Sequence, residues 1–167
     1  MQKLQLPEYT FRTTEREGRR FIFDSFRQRW VRLTPEEEVR QRFVRFLQTE
    51  KGVPATLMAV EKKVEVNGLP QRFDLLIYDR KGAPLVVAEF KAPGVAITQE
   101  VFDQALRYNS VLKAPYFMVS NGMSHFSCRI DFASHRASYL DHIPDFREMT
   151  GATSGLAANG QTADGTQ

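Results

Sequence analysis

The chain has 167 residues, 42% of them hydrophobic and 26% charged, with a formal net charge of +3. That length suits one domain with a real core and is too short for two. A single cysteine, Cys128, excludes an internal disulfide framework and any cysteine-rich zinc site. The opening MQKLQLPEYTFRTTEREG has no apolar stretch of signal-peptide length and no run approaches a membrane span, so a cytoplasmic protein without a membrane partner is expected.

The basic residues are unevenly spread. Between Arg12 and Arg45 lie Arg16, Arg19, Arg20, Arg27, Arg29, Arg32, Arg40 and Arg42. Arginine offers two donors at once to a phosphate. The segment is therefore either a nucleic-acid-facing patch or the solvated surface of a basic hairpin, with Glu15, Glu17 and Asp24 interleaved. RRFIFD at 19–24 and RWVRL at 29–33 read as strands, with a turn at Glu17-Gly18. They predict a small β-meander in an N-terminal extension, residues 1–33. Trp30 is expected to anchor that sheet rather than to stack on a base.

A helix follows. Thr34 suits the N-cap, Pro35 the first helical position, and Glu36, Glu37 and Glu38 the positive end of the dipole. Thr34 and Glu37 also match a capping box. Val39, Phe43, Phe46 and Leu47 form one apolar stripe, and Lys51-Gly52-Val53-Pro54 ends the helix. Residues 56–66 alternate as a strand, turned by Asn67-Gly68 into RFDLLIY. Asp79 to Gly82 turns the chain again into PLVVAEFK. A second helix is expected from Thr98 to about Lys113, then a strand APYFMVS and a fifth, HFSCRIDF. The order helix, three meandering strands, helix, strand predicts an α/β fold with a mixed sheet, because the fourth strand returns after a helical crossover. The domain is expected over 34–149, and the small, polar composition of 150–167 predicts a disordered tail.

Charge inside these strands needs a reason, since buried charges are costly unless paired or holding a metal. Residues two apart in a strand share a face, so Glu89 and Lys91 point the same way as Val87, while Asp74 sits in the neighbouring strand. A carboxylate pair on adjacent strands suits a hard cation, with the Phe90 carbonyl as a further ligand. Lys91 beside it can orient a water or steady phosphorane charge. The competing reading is a Glu–Lys pair on an exposed strand face. Gln104 and Tyr108, four apart, share a helix face that is otherwise an ordinary polar edge. His125, His135 and His142 have no shared ligand spacing and read as surface or structural, and Cys128 as core.

The run FD-x14-EFK followed by a helix resembles the pattern of PD-(D/E)xK nucleases, with Phe73 where the motif's proline stands, and Gln104 to Tyr108 resembles the Q-x-x-x-Y motif of one branch of that superfamily. IFDSFRQRWVRLTPEEEVRQRFVRFL, RFDLLIYDRKGAPLVVAEFKAP and VFDQALRYNSVLKAPYFMVSNG together look like the N-terminal nuclease domain of type I restriction enzyme R subunits, over about residues 20 to 145. The likeness is strongest to the short, free-standing bacterial proteins that carry this domain. It implies a restriction-endonuclease-like αβββαβ core, and a site built from Asp74, Glu89, Lys91, Gln104 and Tyr108 with a first-helix glutamate. The PEE-x-VRQ pattern suggests Glu37, whereas a helical wheel puts Glu36 nearer the Val39/Phe43 stripe, and both stay open. The resemblance further implies Mg²⁺, with Mn²⁺ able to substitute, and DNA and other restriction or repair subunits as partners. No G-x-x-x-x-G-K-[ST] occurs, so no motor activity is expected of these residues. The expected function is a metal-dependent DNA endonuclease without its motor; the alternative is a non-catalytic nucleic-acid-binding or assembly module on the same fold.

Overall fold

The computed structural model describes residues 3–156, with side chains described to 151. Helix α1 spans Pro35–Thr49, and the Thr34 side chain accepts the Glu37 N–H at 3.1 Å as the N-cap. Only that half of the expected capping box forms. The Thr34 N–H goes to the Arg32 carbonyl, and the Glu37 carboxylate is taken by Arg27, Arg40 and Gln41 instead.

Before α1, strands β1 (Thr13–Arg16), β2 (Arg19–Asp24) and β3 (Arg29–Arg32) form an antiparallel sheet, as the arginine-rich meander predicts. After it come β4 (Met58–Val66), β5 (Leu69–Tyr78), β6 (Pro84–Phe90), helix α2 (Gln99–Leu112), β7 (Tyr116–Ser120), β8 (His125–Asp131), β9 (Arg136–Leu140) and helix α3 (Phe146–Leu156). Strands β4 to β9 form one sheet in sequence order, antiparallel except for the β6–β7 pair, which α2 joins as the crossover. Val39, Phe43, Val44 and Leu47 of α1 pack one face of this sheet together with Phe146 and Met149 of α3; Phe102 and Ala105 of α2 pack the other. The end of α2 is closed by Asn109, whose buried side-chain amide both donates to and accepts from the Ala114 backbone, at 2.8 and 3.0 Å.

Two elements go beyond the sequence reading. Strand β9 is an exposed edge strand and shows no apolar alternation. Helix α3 starts at the Asp145 carboxylate, which accepts the Glu148 N–H, and is anchored by buried Phe146 and Met149. It carries residues 150–156, the start of the stretch expected to be disordered; 157–167 lie outside the described residues. The N-terminal extension shares the main core, because Leu4 and Leu6 join the α1 cluster. Gly122 makes this fit possible. Its φ is +81°, and a Cβ there would lie 2.8 Å from Leu4 Cδ2 and 2.9 Å from Val39 Cγ2. Among the described residues, no helix is long and apolar enough to cross a membrane.

The meander is tied to α1 by charge. Asp24 and Arg40, 1% and 3% exposed, meet at 2.7 Å, and Arg27 Nε donates to Asp24 at 2.5 Å. Burial pushes the Asp24 pKa up, but the Arg40 charge and the Arg27 hydrogen bonds outweigh it and hold the carboxyl below its usual range. Arg40→Ala leaves part of a buried acid network uncompensated and is expected to destabilise by about 3 kcal/mol. Arg42→Ala, which removes the helix-surface pair with Glu38, should cost less than about 1 kcal/mol. Chemical denaturation of the two variants checks this; equal losses would mean the Arg40 network carries no special weight.

Candidate active site

The site forms where β5 and β6 part company. Their pairing runs from Tyr78↔Pro84 to Leu75↔Ala88 and stops one residue short of Asp74 and Glu89. At that point the Phe90 N–H donates to Asp74 Oδ2 at 2.7 Å, so the acid's side chain stands in for a strand carbonyl.

A kink explains why Asp74 can do this. In β5, Leu75 and Ile77 face the α1 side but Phe73 faces the α2 side, so side-chain alternation breaks at Asp74. In β4, Met58 and Val60 face α1 whereas Val64 faces α2. Between them Glu61 takes φ +52°, while the register stays constant from Val60↔Leu75 to Lys62↔Phe73. The paired kink at Glu61 and Asp74 turns the hairpin tip over relative to its base. It also departs from the period-two rule, which would set Asp74 squarely on one face.

Strand β6 stays regular, and Glu89 follows Val87 onto the α2 face. Lys91, one residue past the strand, continues the ladder through its N–H to the Ser120 carbonyl at 2.9 Å. Glu89, Lys91, Gln104 and Tyr108 then line a single cleft of about 160 Å³, together with Gln71 and Arg72. Gln104 Nε2 donates to the Tyr108 hydroxyl at 3.4 Å, and the Tyr108 ring meets Phe73 edge-on. Thus Asp74, Glu89, Lys91, Gln104 and Tyr108, from three separate sequence segments, meet where the β5–β6 pairing ends.

The electrostatics separates the two first-helix glutamates. Glu36 is exposed at the mouth of this cluster, and partial desolvation and the negative charge of Asp74 raise its pKa, against the opposing charge of Lys91. Glu37 points elsewhere, into the Arg27, Arg40 and Gln41 network that holds the meander. Glu37 is thus engaged away from the cleft, and Glu36 is the first-helix glutamate whose charge couples to Asp74 and Lys91. Glu61 and Arg72, both missed in the sequence, pair at 2.7 Å beside the site as diagonal neighbours across the β4–β5 hairpin.

The histidines lie apart from the cleft. His125 bridges Ser120 Oγ and the Gln5 carbonyl, and His142 sits between Asp141 and Glu148. His135 turns the chain from β8 to β9 with φ +54°. Cys128 is core, and burial pushes its thiol up to about 11.

A family model described as the type I restriction enzyme R protein N terminus matches residues 35–144. The chain belongs to this family. Among solved structures, it resembles a fragment from Vibrio vulnificus described as an HsdR subunit of a type I restriction enzyme. The identity is 20% and the TM-score 0.55, over 74% of this chain and 26% of that one. That likeness speaks for the fold, a restriction-endonuclease-like mixed α/β sheet. No curated protein matches the chain.

In this R-protein N-terminal domain Glu89 carries the most displaced acid. Burial first, then the charge of Asp74 and a hydrogen bond to it, push the Glu89 carboxyl up to about 9, with Lys91 opposing. The folded protein therefore keeps a proton at neutral pH that the unfolded chain releases above about 4.3. Stability from this group is full below that value and is lost as pH rises toward 9. Glu89→Gln keeps a neutral donor to Asp74. In EDTA it should melt several degrees above the wild type at pH 8, with the gap closing at pH 5. Differential scanning calorimetry at the two pH values decides; a gap independent of pH would show that Glu89 holds no such proton.

Proposed function

We propose that the chain is a metal-dependent DNA endonuclease of the restriction type. The observation that carries this reading is the contact between the Asp74 and Glu89 carboxyls, with Lys91, Gln104 and Tyr108 around the same cleft. Among the described residues, no group of three or more His, Cys, Asp or Glu side chains is gathered around a point that would hold a metal. The donor set is instead two carboxyls in hydrogen-bonding contact, one of them protonated. That chemistry fits a hard divalent cation, which takes the place of the proton, prefers oxygen and keeps several of its waters.

Asp74 and Glu89 would hold Mg²⁺ or Mn²⁺, with the Phe90 carbonyl as a third oxygen. Bound there, the ion would polarise a phosphate and lower the pKa of a water. Lys91 then sets a positive charge where phosphorane charge develops. Gln104 and Tyr108 orient the strand from the α2 side, and Glu36 adds negative charge at the mouth. DNA is the substrate, and other restriction or repair subunits are the partners through which family members would reach it.

Titration calorimetry with Mn²⁺ is expected to show binding to the wild type and to Lys91→Ala, and its loss in Asp74→Ala and Glu89→Ala. Plasmid nicking in Mg²⁺ should fall about 100-fold or more in Lys91→Ala, the range for losing one transition-state charge contact. Metal binding unchanged in both acid variants would remove the metal site. A wild type that binds DNA and metal without nicking would favour the non-catalytic binding module.

A further inference from the structure

The N-terminal sheet has two chemically distinct faces. Its inner face buries Ile22 and Asp24 against the domain. The register Thr14↔Phe21↔Arg32 and Phe23↔Trp30 puts the alternate residues on the outer face. Arg12 and Arg16 of the first segment, Phe21 and Phe23 of β2, and Trp30 and Arg32 of β3 meet there.

The three rings are half-buried and remain reachable, while Arg12, Arg16 and Arg32 are exposed. Phe23 and Trp30 meet edge to face at 5.5 Å. The Arg12 guanidinium lies 4.4 Å from the Phe23 centroid and 5.6 Å from that of Trp30, and Arg16 lies 5.9 Å from Phe21 and 5.8 Å from Trp30. Strand alternation sends Glu15 and Asp24 to the opposite face, so these strands offer cation and aromatic surface without an acid.

We propose that this outer face binds an unpaired DNA strand. Arginine over an aromatic ring is an arrangement that a nucleobase can share, stacking on the ring while the guanidinium turns to a phosphate. A duplex keeps the faces of its bases stacked inside, so it cannot lay them on these rings. A protein partner would engage the same rings and arginines, so a Trp30 left unquenched by oligo-dT is the outcome that favours it. The face lies before residue 35, where the family match begins. The choice of DNA over RNA rests on the nuclease reading; the preference for an unpaired strand and the location do not. Strand binding needs neither metal nor the Asp74–Glu89 pair, so the two readings fail separately.

Trp30 is the chain's one tryptophan, so its fluorescence reports this face directly. With the full chain in EDTA, oligo-dT should quench it, and a duplex of equal length should not. Labelled oligo-dT anisotropy should show binding weakened about fivefold or more in Trp30→Ala, the range for one lost stacking contact, and largely kept in Trp30→Phe. Arg12→Gln with Arg16→Gln should weaken binding and flatten its salt dependence. Circular dichroism and Trp30→Phe separate misfolding from a lost contact. An unquenched Trp30 under saturating oligo-dT, or quenching by the duplex as strong as by the single strand, overturns the proposal. Tighter binding of oligo-rU than of oligo-dT overturns the choice of DNA.

Discussion

The Asp24–Arg40 pair is the contact on which the arrangement of this protein turns. Both groups are removed from water, which is tolerable only because each is multiply bonded. Arg40 reaches Glu37 as well, and Arg27 joins Asp24 to Glu37 at 3.0 Å. The meander is therefore fastened to the first turns of α1 by charge, beside the apolar contact that Phe26 makes with the α1 core. One consequence is the occupation of Glu37: its carboxylate is taken by two arginines and Gln41, away from the cleft. Glu36, one position earlier on the same helix, is left facing Asp74 and Lys91.

The same chain of charges continues toward the cleft. Arg27 Nη1 lies 4.0 Å from Glu61, and Glu61 pairs with Arg72, a residue of the cleft wall. Glu61 is also the residue at which β4 kinks, opposite Asp74. A left-handed backbone at a glutamate costs roughly 1–3 kcal/mol and persists only when its surroundings hold it. Here the Glu61 side chain sits between two arginines from different elements, with Arg72 the nearer at 2.7 Å. The kink in turn turns Asp74 toward the Phe90 N–H, giving its carboxylate one backbone partner at a place where the β5–β6 ladder has ended. The carboxyl contact with Glu89 is thus the far end of a structure that begins at Asp24.

Much of this was legible from local chemistry. Thr34-Pro35 started α1, Asn67-Gly68 turned β4 into β5, and the acid, E-x-K and Q-x-x-x-Y pattern named five residues that the fold gathers in one place. What escaped depends on long-range contacts. A helical wheel sees only α1, so it could not weigh Glu36 against Glu37 without Asp24 and Arg27 from the meander. Alternation over β4 and β5 assumed flat strands, and the reversal at Glu61 and Asp74 has no local signature. Strand β9 carries exposed residues on an edge, and α3 is anchored by buried Phe146 and Met149 just before residue 150, so the helix runs into a stretch whose small, polar composition argues for disorder.

The arginine-rich segment then resolves into two populations rather than one patch. Arg27 and Arg40 are turned inward and neutralised by Asp24 and Glu37; Arg12, Arg16 and Arg32 stand on the outer face among rings. Arg29, in register with Asp24, falls on the other side from Arg32, so counting arginines along the sequence overstates the basic surface. A net charge of +3 is compatible with a basic face, because Asp24 is buried against Arg27 and Arg40 and Glu15 falls on the other side of its strand. The burial of Asp24 therefore does two things at once: it fixes the sheet to α1, and it removes from the exposed face the negative charge that would oppose a polyanion there.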